Sequence, residues 1–397
     1  MDEDMKLELL DGEMIYHCFQ GSVHGNGGIE TYVKTLALSS LPGISDRIIT
    51  SIENLDQKQV KLLHLHSPEI LVEWRQECPV IFTLHNHSCY CPSGTKYLAD
   101  RQQICDRTMQ PLGCTWGHIV DGCGSRRPNR IVKSWKNSAS ALENLKKLPI
   151  PIIANSDYVR KQIIHHGLPA HRVTTLRCGV KPPQSPTAPL SREIHQNQRI
   201  LFAGRIVPDK GLEWLIKALA QTDSRIHLDI AGDGWDKPAM ERLAQKMGLS
   251  DRITWHGWCN FEQLETLYHQ CFAVIFPSLW PEPAGLVTLE AYARYRPVIA
   301  SAVGGIPEQV QDGKTGILVS LNNVSQLAAA IAQLATNYSQ AKFMGESGQA
   351  WYQQEFTIDV HVQRLAEIYA KAIAEFRDRN QGDFSGYVEK ATLNLTP

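Results

Sequence analysis

Two carboxylates, Glu282 and Glu290, stand eight positions apart in FPSLWPEPAGLVTLEAYARYRPVIASAVGG, residues 276–305. A Pro-Ala-Gly turn between them opens a helix. An ionised carboxylate only accepts hydrogen bonds, so each suits hydroxyl groups. Pro283 favours a helix start, and Gly285 lets the backbone come close to a ligand. The first helical N–H groups, around Gly285, Leu286 and Val287, lack intrahelical acceptors and carry the positive end of the helix dipole. That is a seat for a phosphate. Phosphate with hydroxyls on both flanks describes a nucleotide sugar. The same pair invites a glycosidase reading, acid plus nucleophile, but a glycosidase pair must straddle a scissile bond. These two flank a helix start.

A second motif decides between the readings. AGRIVPDKG, residues 203–211, follows a buried-looking strand and puts Arg205 and Lys210 in one loop, with Gly211 opening a helix. Two cations and a helix N-terminus make a diphosphate clamp, although Arg-x4-Lys is commonly a solvated surface pair. His85 ends a buried strand in IFTLHNH, where a side chain faces a cleft. A hydrogen-bonded structural imidazole is the alternative, and it is preferred for His64, His66 and His87. The loop HGNGGIE, residues 24–30, is either a phosphate-approaching turn at Gly27 and Gly28 or a tight turn that needs glycine for its dihedrals. It is not a dinucleotide fingerprint. Glu308, in GGIPEQVQDGKTG, reaches the cleft or caps a helix.

The elements that carry these residues alternate strand and helix twice. Strands at 14–19, 62–66, 80–85, 150–155 and 173–177 precede a Pro-rich linker, 181–197, and the alternation restarts at 199. With 397 residues the chain exceeds one ordinary core. The expectation is α/β: two Rossmann-like domains, 1–180 and 198–357, whose parallel sheets face each other across a cleft. A helix at 358–378 crosses back to the first domain, followed by a polar tail, 379–397. Net charge is −1, which gives no general pull toward nucleic acid. The acidic start lacks an apolar signal region, and no apolar run approaches a membrane span. A cytoplasmic protein is expected.

These motifs in this order (GGIE, GRIVPDKG, AGDG, Glu-x7-Glu, GGIPEQVQDGKTG) resemble the retaining nucleotide-sugar glycosyltransferases of the GT-B fold, family 4. The resemblance implies that a hexosyl unit moves from a UDP- or GDP-sugar to a saccharide, lipid-linked or small-molecule acceptor. By it, Arg205 and Lys210 hold the diphosphate, Glu282 meets sugar hydroxyls and Glu290 the ribose. Gly285 and Leu286 face the distal phosphate and sugar, Gly27 and Gly28 approach from the other domain, and His85 sits beside the reacting sugar. The acceptor hydroxyl attacks on the face that the diphosphate leaves, and no cofactor is required for the chemistry. The alternatives are another GT-B enzyme, an epimerase or phosphorylase, for which no motif stands out, and a non-catalytic nucleotide-sugar-binding or scaffold protein, which the intact motifs oppose.

One stretch departs from that pattern. Five of the ten cysteines fall between 89 and 123, in a Cys-, Gly- and Pro-rich insert read as irregular over 89–129. Cys91, Cys105, Cys114 and Cys123 suit a structural zinc, with free thiols or disulfides as alternatives. After it, Arg126, Arg127, Arg130, Lys133, Lys136, Lys146 and Lys147 stand against Glu143 alone. They read as a patch for anionic lipid headgroups, peripheral at the inner membrane face, or for an acceptor diphosphate, or as a solvated helix face.

Overall fold

The computed structural model describes residues 14–20, 28–39 and 45–392. Its strands are β1 (Met14–Cys18), β2 (Ser45–Ile49), β3 (Leu62–Leu65), β4 (Val80–Leu84), β5 (Tyr97–Leu98), β6 (Gln103–Ile104), β7 (Ile152–Ala154), β8 (Val173–Thr175), β9 (Arg199–Ala203), β10 (His227–Ala231), β11 (Ile253–Gly257), β12 (Ala273–Phe276), β13 (Val298–Ser301) and β14 (Gly316–Val319). Twelve of them form two six-stranded parallel sheets, ordered β2-β1-β3-β4-β7-β8 and β11-β10-β9-β12-β13-β14. The central strands are apolar and buried along their length, VIFTL in β4 and AVIF in β12. That is what a parallel sheet covered by helices on both faces requires.

Each sheet reverses its winding direction once, between β1 and β3 in the first domain and between β9 and β12 in the second. Ligand crevices open at such points, beyond the carboxyl ends of the strands. The chain has the two-domain GT-B architecture, with those ends facing each other.

The last helix, Ile358–Thr392, continues well past residue 378, where the sequence pattern weakens. It lays Ile358, Val362, Leu365, Tyr369 and Ile373 against Ile15, Tyr32, Leu62 and Ile81 of the first domain. Residues 181–197 are not simply extended: Arg192–Gln196 is a short helix, and Leu190 is buried in the second core. Nor is the insert irregular. It contains the β5–β6 hairpin and a helix, Pro111–Ile119, started by Pro111 in its first turn.

Glu308 answers the question its sequence context left open. Its carboxylate accepts from the Asp157 N–H (2.8 Å) and the Tyr158 N–H (2.7 Å). These are orphan donors at the start of the first-domain helix Asp157–His165, whose next donor, the Val159 N–H, goes to its own cap, Ser156. A second-domain carboxylate therefore caps a first-domain helix, where the dipole favours it. Glu308→Ala is expected to cost about 1–3 kcal/mol in urea unfolding, the range for charge-assisted bonds of this kind. An unchanged unfolding midpoint would remove the clasp from the account.

Candidate active site

A cavity of about 320 Å³ lies at the carboxyl ends of β9, β10 and β12. That is large enough for a small ligand. Gly204 follows β9 and Gly232 follows β10, and both form its floor. A Cβ on Gly232 would come within 1.8 Å of the Gly204 carbonyl oxygen, so the two loops pass too closely for any side chain there. Arg205, Lys210, Glu282, Leu286, Val287 and Glu290 line the same space, with Gly28 and Thr31 across from them on the first domain. Gly27 lies outside the described residues.

Arg205 is exposed, and its guanidinium has no protein partner among the described residues. Lys210 differs. Its Nζ donates to Glu282 Oε1 at 2.5 Å and stands 5.1 Å from the centre of the Trp280 ring. Glu282, only 4% exposed, also accepts from the Ser278 hydroxyl at 2.7 Å. The two residues read separately from the sequence, one for phosphate and one for sugar, are thus joined in an ion pair. Glu290 accepts from the Tyr268 hydroxyl at 3.0 Å, and burial holds its carboxyl above the usual range. The Arg294 guanidinium lies 4.7 Å over the Tyr268 ring and is itself paired with buried Glu265.

The helix start differs in one detail from the sequence expectation. The helix is Leu286–Ala293, and the Gly285 N–H is already taken by Gln309 Oε1 at 3.1 Å. A Cβ at Gly285 would lie 2.8 Å from the Phe276 ring and 3.0 Å from that oxygen. Glycine is therefore needed here for packing. The Leu286 and Val287 N–H groups remain without protein acceptors among the described residues, so the anion seat lies one residue further on. Of the nearby tryptophans, Trp258 lines the cavity, Trp280 faces Lys210, and Trp255 packs on the second core.

His85 does not line this cavity. It is half-buried just beyond β4, edge-on to Tyr32 at 5.1 Å. Its Nε2 meets His66 Nδ1 at 2.8 Å, His66 Nε2 meets His17 Nδ1 at 3.1 Å, and His17 Nε2 faces Asp46 Oδ1 at 3.5 Å. That contact is electrostatic and not a hydrogen bond; the carboxylate favours the His17 proton on Nε2, which leaves Nδ1 to accept. It follows that His66 donates from Nε2 and His85 donates from Nε2. The free face of His85 is then Nδ1, an acceptor. His64 joins the group through Thr83 Oγ1 (2.6 Å) and the Tyr369 hydroxyl (2.7 Å). His17, His64 and His66 have candidate metal-ligand atoms all within 4.8 Å of one another. Five of the six ring nitrogens have hydrogen-bond partners and the sixth faces Asp46, so the trio is already an occupied polar network. His64 and His66 belong to the positioning of His85, which their separate sequence contexts do not reveal.

His87, read as structural, is buried and spans the domains: its Nε2 donates to the Pro281 carbonyl oxygen at 2.7 Å, while Nδ1 accepts from the Tyr90 hydroxyl. Burial pushes His85 down to about 3 and His87 and His361 to about 4, with His64 and His66 well below the ordinary range. Each is neutral in the fold and takes up a proton on unfolding below pH ~6.5. The unfolded chain then binds more protons, so stability rises with pH in this window and falls on acidification. The expected slope is up to about 1.4 kcal/mol per pH unit for each such histidine. Denaturant unfolding between pH 7 and 5 checks this; a flat profile would mean that the cluster is not held neutral.

Comparison with known proteins follows the same outline. Residues 190–351 match the model of the family Glycosyl transferases group 1. D-inositol 3-phosphate glycosyltransferase of Streptomyces bingchenggensis is 35% identical over 189 residues, 45% of this chain and 41% of that one. The GDP-mannose-dependent alpha-(1-6)-phosphatidylinositol monomannoside mannosyltransferase of Mycobacterium tuberculosis is 30% identical over 230 residues, 53% of this chain and 59% of that one. The chain spans about half the length of the curated relatives it matches. Among solved structures, Anabaena HepE in complex with UDP-glucose superposes with a TM-score of 0.68 at 18% identity, covering 90% of this chain and 99% of that one. Sucrose-phosphate synthase from Thermosynechococcus elongatus gives 0.70 at 19%, covering 91% and 100%. At such identities the likeness is one of fold. The chain has the two-domain GT-B fold, and its residues 190–351 match the glycosyl transferases group 1.

Proposed function

We propose that the chain is a retaining glycosyltransferase that moves a hexosyl unit from a UDP- or GDP-sugar to a hydroxyl acceptor. The observation that carries this is the cavity at the switch point of the second sheet, where an unpartnered Arg205, Lys210 and two free helix N–H groups converge between Glu282 and Glu290. Arg205, Lys210 and the Leu286 and Val287 N–H groups take the diphosphate and stabilise its charge as it leaves. Glu290, held by Tyr268, accepts from the ribose hydroxyls. Glu282 accepts from sugar hydroxyls, and the Nδ1 of His85 accepts from another. Gly28 faces the diphosphate from the first domain. The acceptor oxygen forms its bond to the anomeric carbon as the bond to phosphate breaks, and a phosphate oxygen takes the acceptor's proton. No cofactor enters these steps.

The acceptor side is the first domain. Its helix Pro111–Ile119 exposes Leu112, Trp116 and Ile119, with Val120 and Val132 beside them. Arg127, Arg130, Lys133 and Lys136 are exposed nearby without ion-pair partners among the described residues, whereas Arg126 pairs with Asp100 and Lys147 with Glu143. Apolar side chains ringed by cations favour an anionic membrane surface and a lipid-linked acceptor. No described helix is long and apolar enough to cross a membrane. Sedimentation with anionic vesicles is expected to carry the protein down, and Trp116→Ser with Leu112→Ser to weaken this. Equal recovery with neutral vesicles would point to a soluble acceptor.

Nucleotide binding tests the main reading. UDP or GDP is expected to raise the melting temperature. Arg205→Ala, at an exposed residue that holds nothing else, is expected to weaken that binding by ~10–100-fold. Glu282→Ala is expected to cut transfer by ~100-fold or more while binding persists. If neither nucleotide stabilises the protein, the proposal fails; unchanged turnover would remove Glu282 from the mechanism.

A further inference from the structure

The insert carries chemistry that the nucleotide-sugar site does not use. Cys91 lies in the turn beyond β4, Cys105 just after β6, Cys114 inside the helix Pro111–Ile119, and Cys123 in the loop after that helix. All four line one small cavity of about 20 Å³, room for a single small occupant. Cys89 does not line it and is buried in the first-domain core. All four cysteines are free thiols.

Two polar groups on the same wall lack the partner their burial demands. His118 is 2% exposed, and its Nδ1 lies 3.1 Å from the Ser125 carbonyl oxygen. That carbonyl can only accept, so the proton sits on Nδ1 and Nε2 is a bare lone pair. Nε2 is buried with no partner among the described residues. Lys96 is 1% exposed; its Nζ donates to the Arg107 carbonyl oxygen at 2.8 Å and has no carboxylate within ion-pair distance among the described residues. A buried ammonium without a counter-charge costs several kcal/mol. The other cation on the wall, Arg107, is already tied to Asp121 at 2.6 Å.

We propose that Cys91, Cys105, Cys114 and Cys123 bind one zinc ion as four thiolates. Four thiols lose four protons, and four thiolates around a divalent cation carry a net charge of −2. That is the anion Lys96 lacks. Thiolates select zinc over magnesium or calcium. The thiols surround the cavity more widely than a closed site, since the only described trio of ligand atoms within 4.8 Å is the histidine one. The ion draws them together. Its work is mechanical. The insert's helix turns Leu112, Trp116 and Ile119 outward, so burial of apolar surface does little to hold this helix, and four covalently spaced ligands pin the hairpin, the helix and both loops.

The inference is independent of the proposed transfer reaction and is tested without it. Full-length protein purified without chelator is expected to contain about one zinc per chain by plasma mass spectrometry. Cys114→Ser and Cys123→Ser are each expected to lose most of it, and Cys89→Ser to keep it. Because a serine variant can misfold, the wild-type protein is also exchanged into cobalt. The visible absorption of a tetrahedral thiolate–cobalt site is then expected at one equivalent. Protein without metal, protein holding iron instead, or intact mass showing two hydrogens lost per cysteine pair would each overturn the proposal.

Discussion

The segment from Phe276 to Gln309 is tied from both domains, and the site depends on that constraint. It leaves β12, turns at Pro281 and Glu282, opens the Leu286 helix and returns through β13 to Glu308. Inside the second domain it is tied by the Ser301 hydroxyl on the Ser278 carbonyl (2.6 Å) and the Gly305 N–H on the Glu282 carbonyl (2.7 Å). From the first domain come two more ties: His87 on Pro281, immediately before Glu282, and the Glu308 carboxylate on a first-domain helix. Both are bonds of strong kind, one buried and one charge-assisted. The wall that carries the carboxylates is therefore held from both domains at once. A ligand spanning the cleft meets a wall already oriented.

The histidines of the first domain follow the same logic by a different means. Asp46 sets the proton on His17, His17 sets it on His66, and His66 sets it on His85. No single residue in that series specifies the result. Burial keeps His66 and His85 neutral, so His66 accepts from one neighbour and donates to the other. The network sets one property, an acceptor nitrogen on His85, and it is held from strands β1, β2 and β3.

How much of this was legible in the sequence depends on how far apart the partners stand. The strand–loop–helix alternation, the two sheets and the cavity-lining Arg205, Lys210, Glu282 and Glu290 carry local signals: a buried run, then glycine or proline, then a helix start. Partners distant along the chain carry none. Tyr268 reaches Glu290 across 22 positions, Gln309 takes the Gly285 N–H across 24, and Asp46 lies 29 positions from His17. Each of these looks like an ordinary residue of its own helix, loop or strand. The insert was misread for a related reason. Its helix and hairpin are short, and its apolar residues face outward, so periodicity points to irregular chain. What it brings to one cavity is four cysteines from four local elements.

The Lys210–Glu282 pair gives the site a property that neither motif predicts separately. With no ligand present, the lysine neutralises a carboxylate that is almost wholly buried, which spares Glu282 an uncompensated charge. In the proposed transfer, a diphosphate arriving at Arg205 competes for the same ammonium. As Lys210 turns toward phosphate, Glu282 loses part of its counter-charge and becomes a stronger acceptor for hydroxyl groups. A sugar attached to that diphosphate supplies those hydroxyls; a bare nucleoside diphosphate does not. On the proposed function, recognition of the two halves of a nucleotide sugar is coupled through one proton-rich side chain, and the coupling favours the intact donor over its spent leaving group.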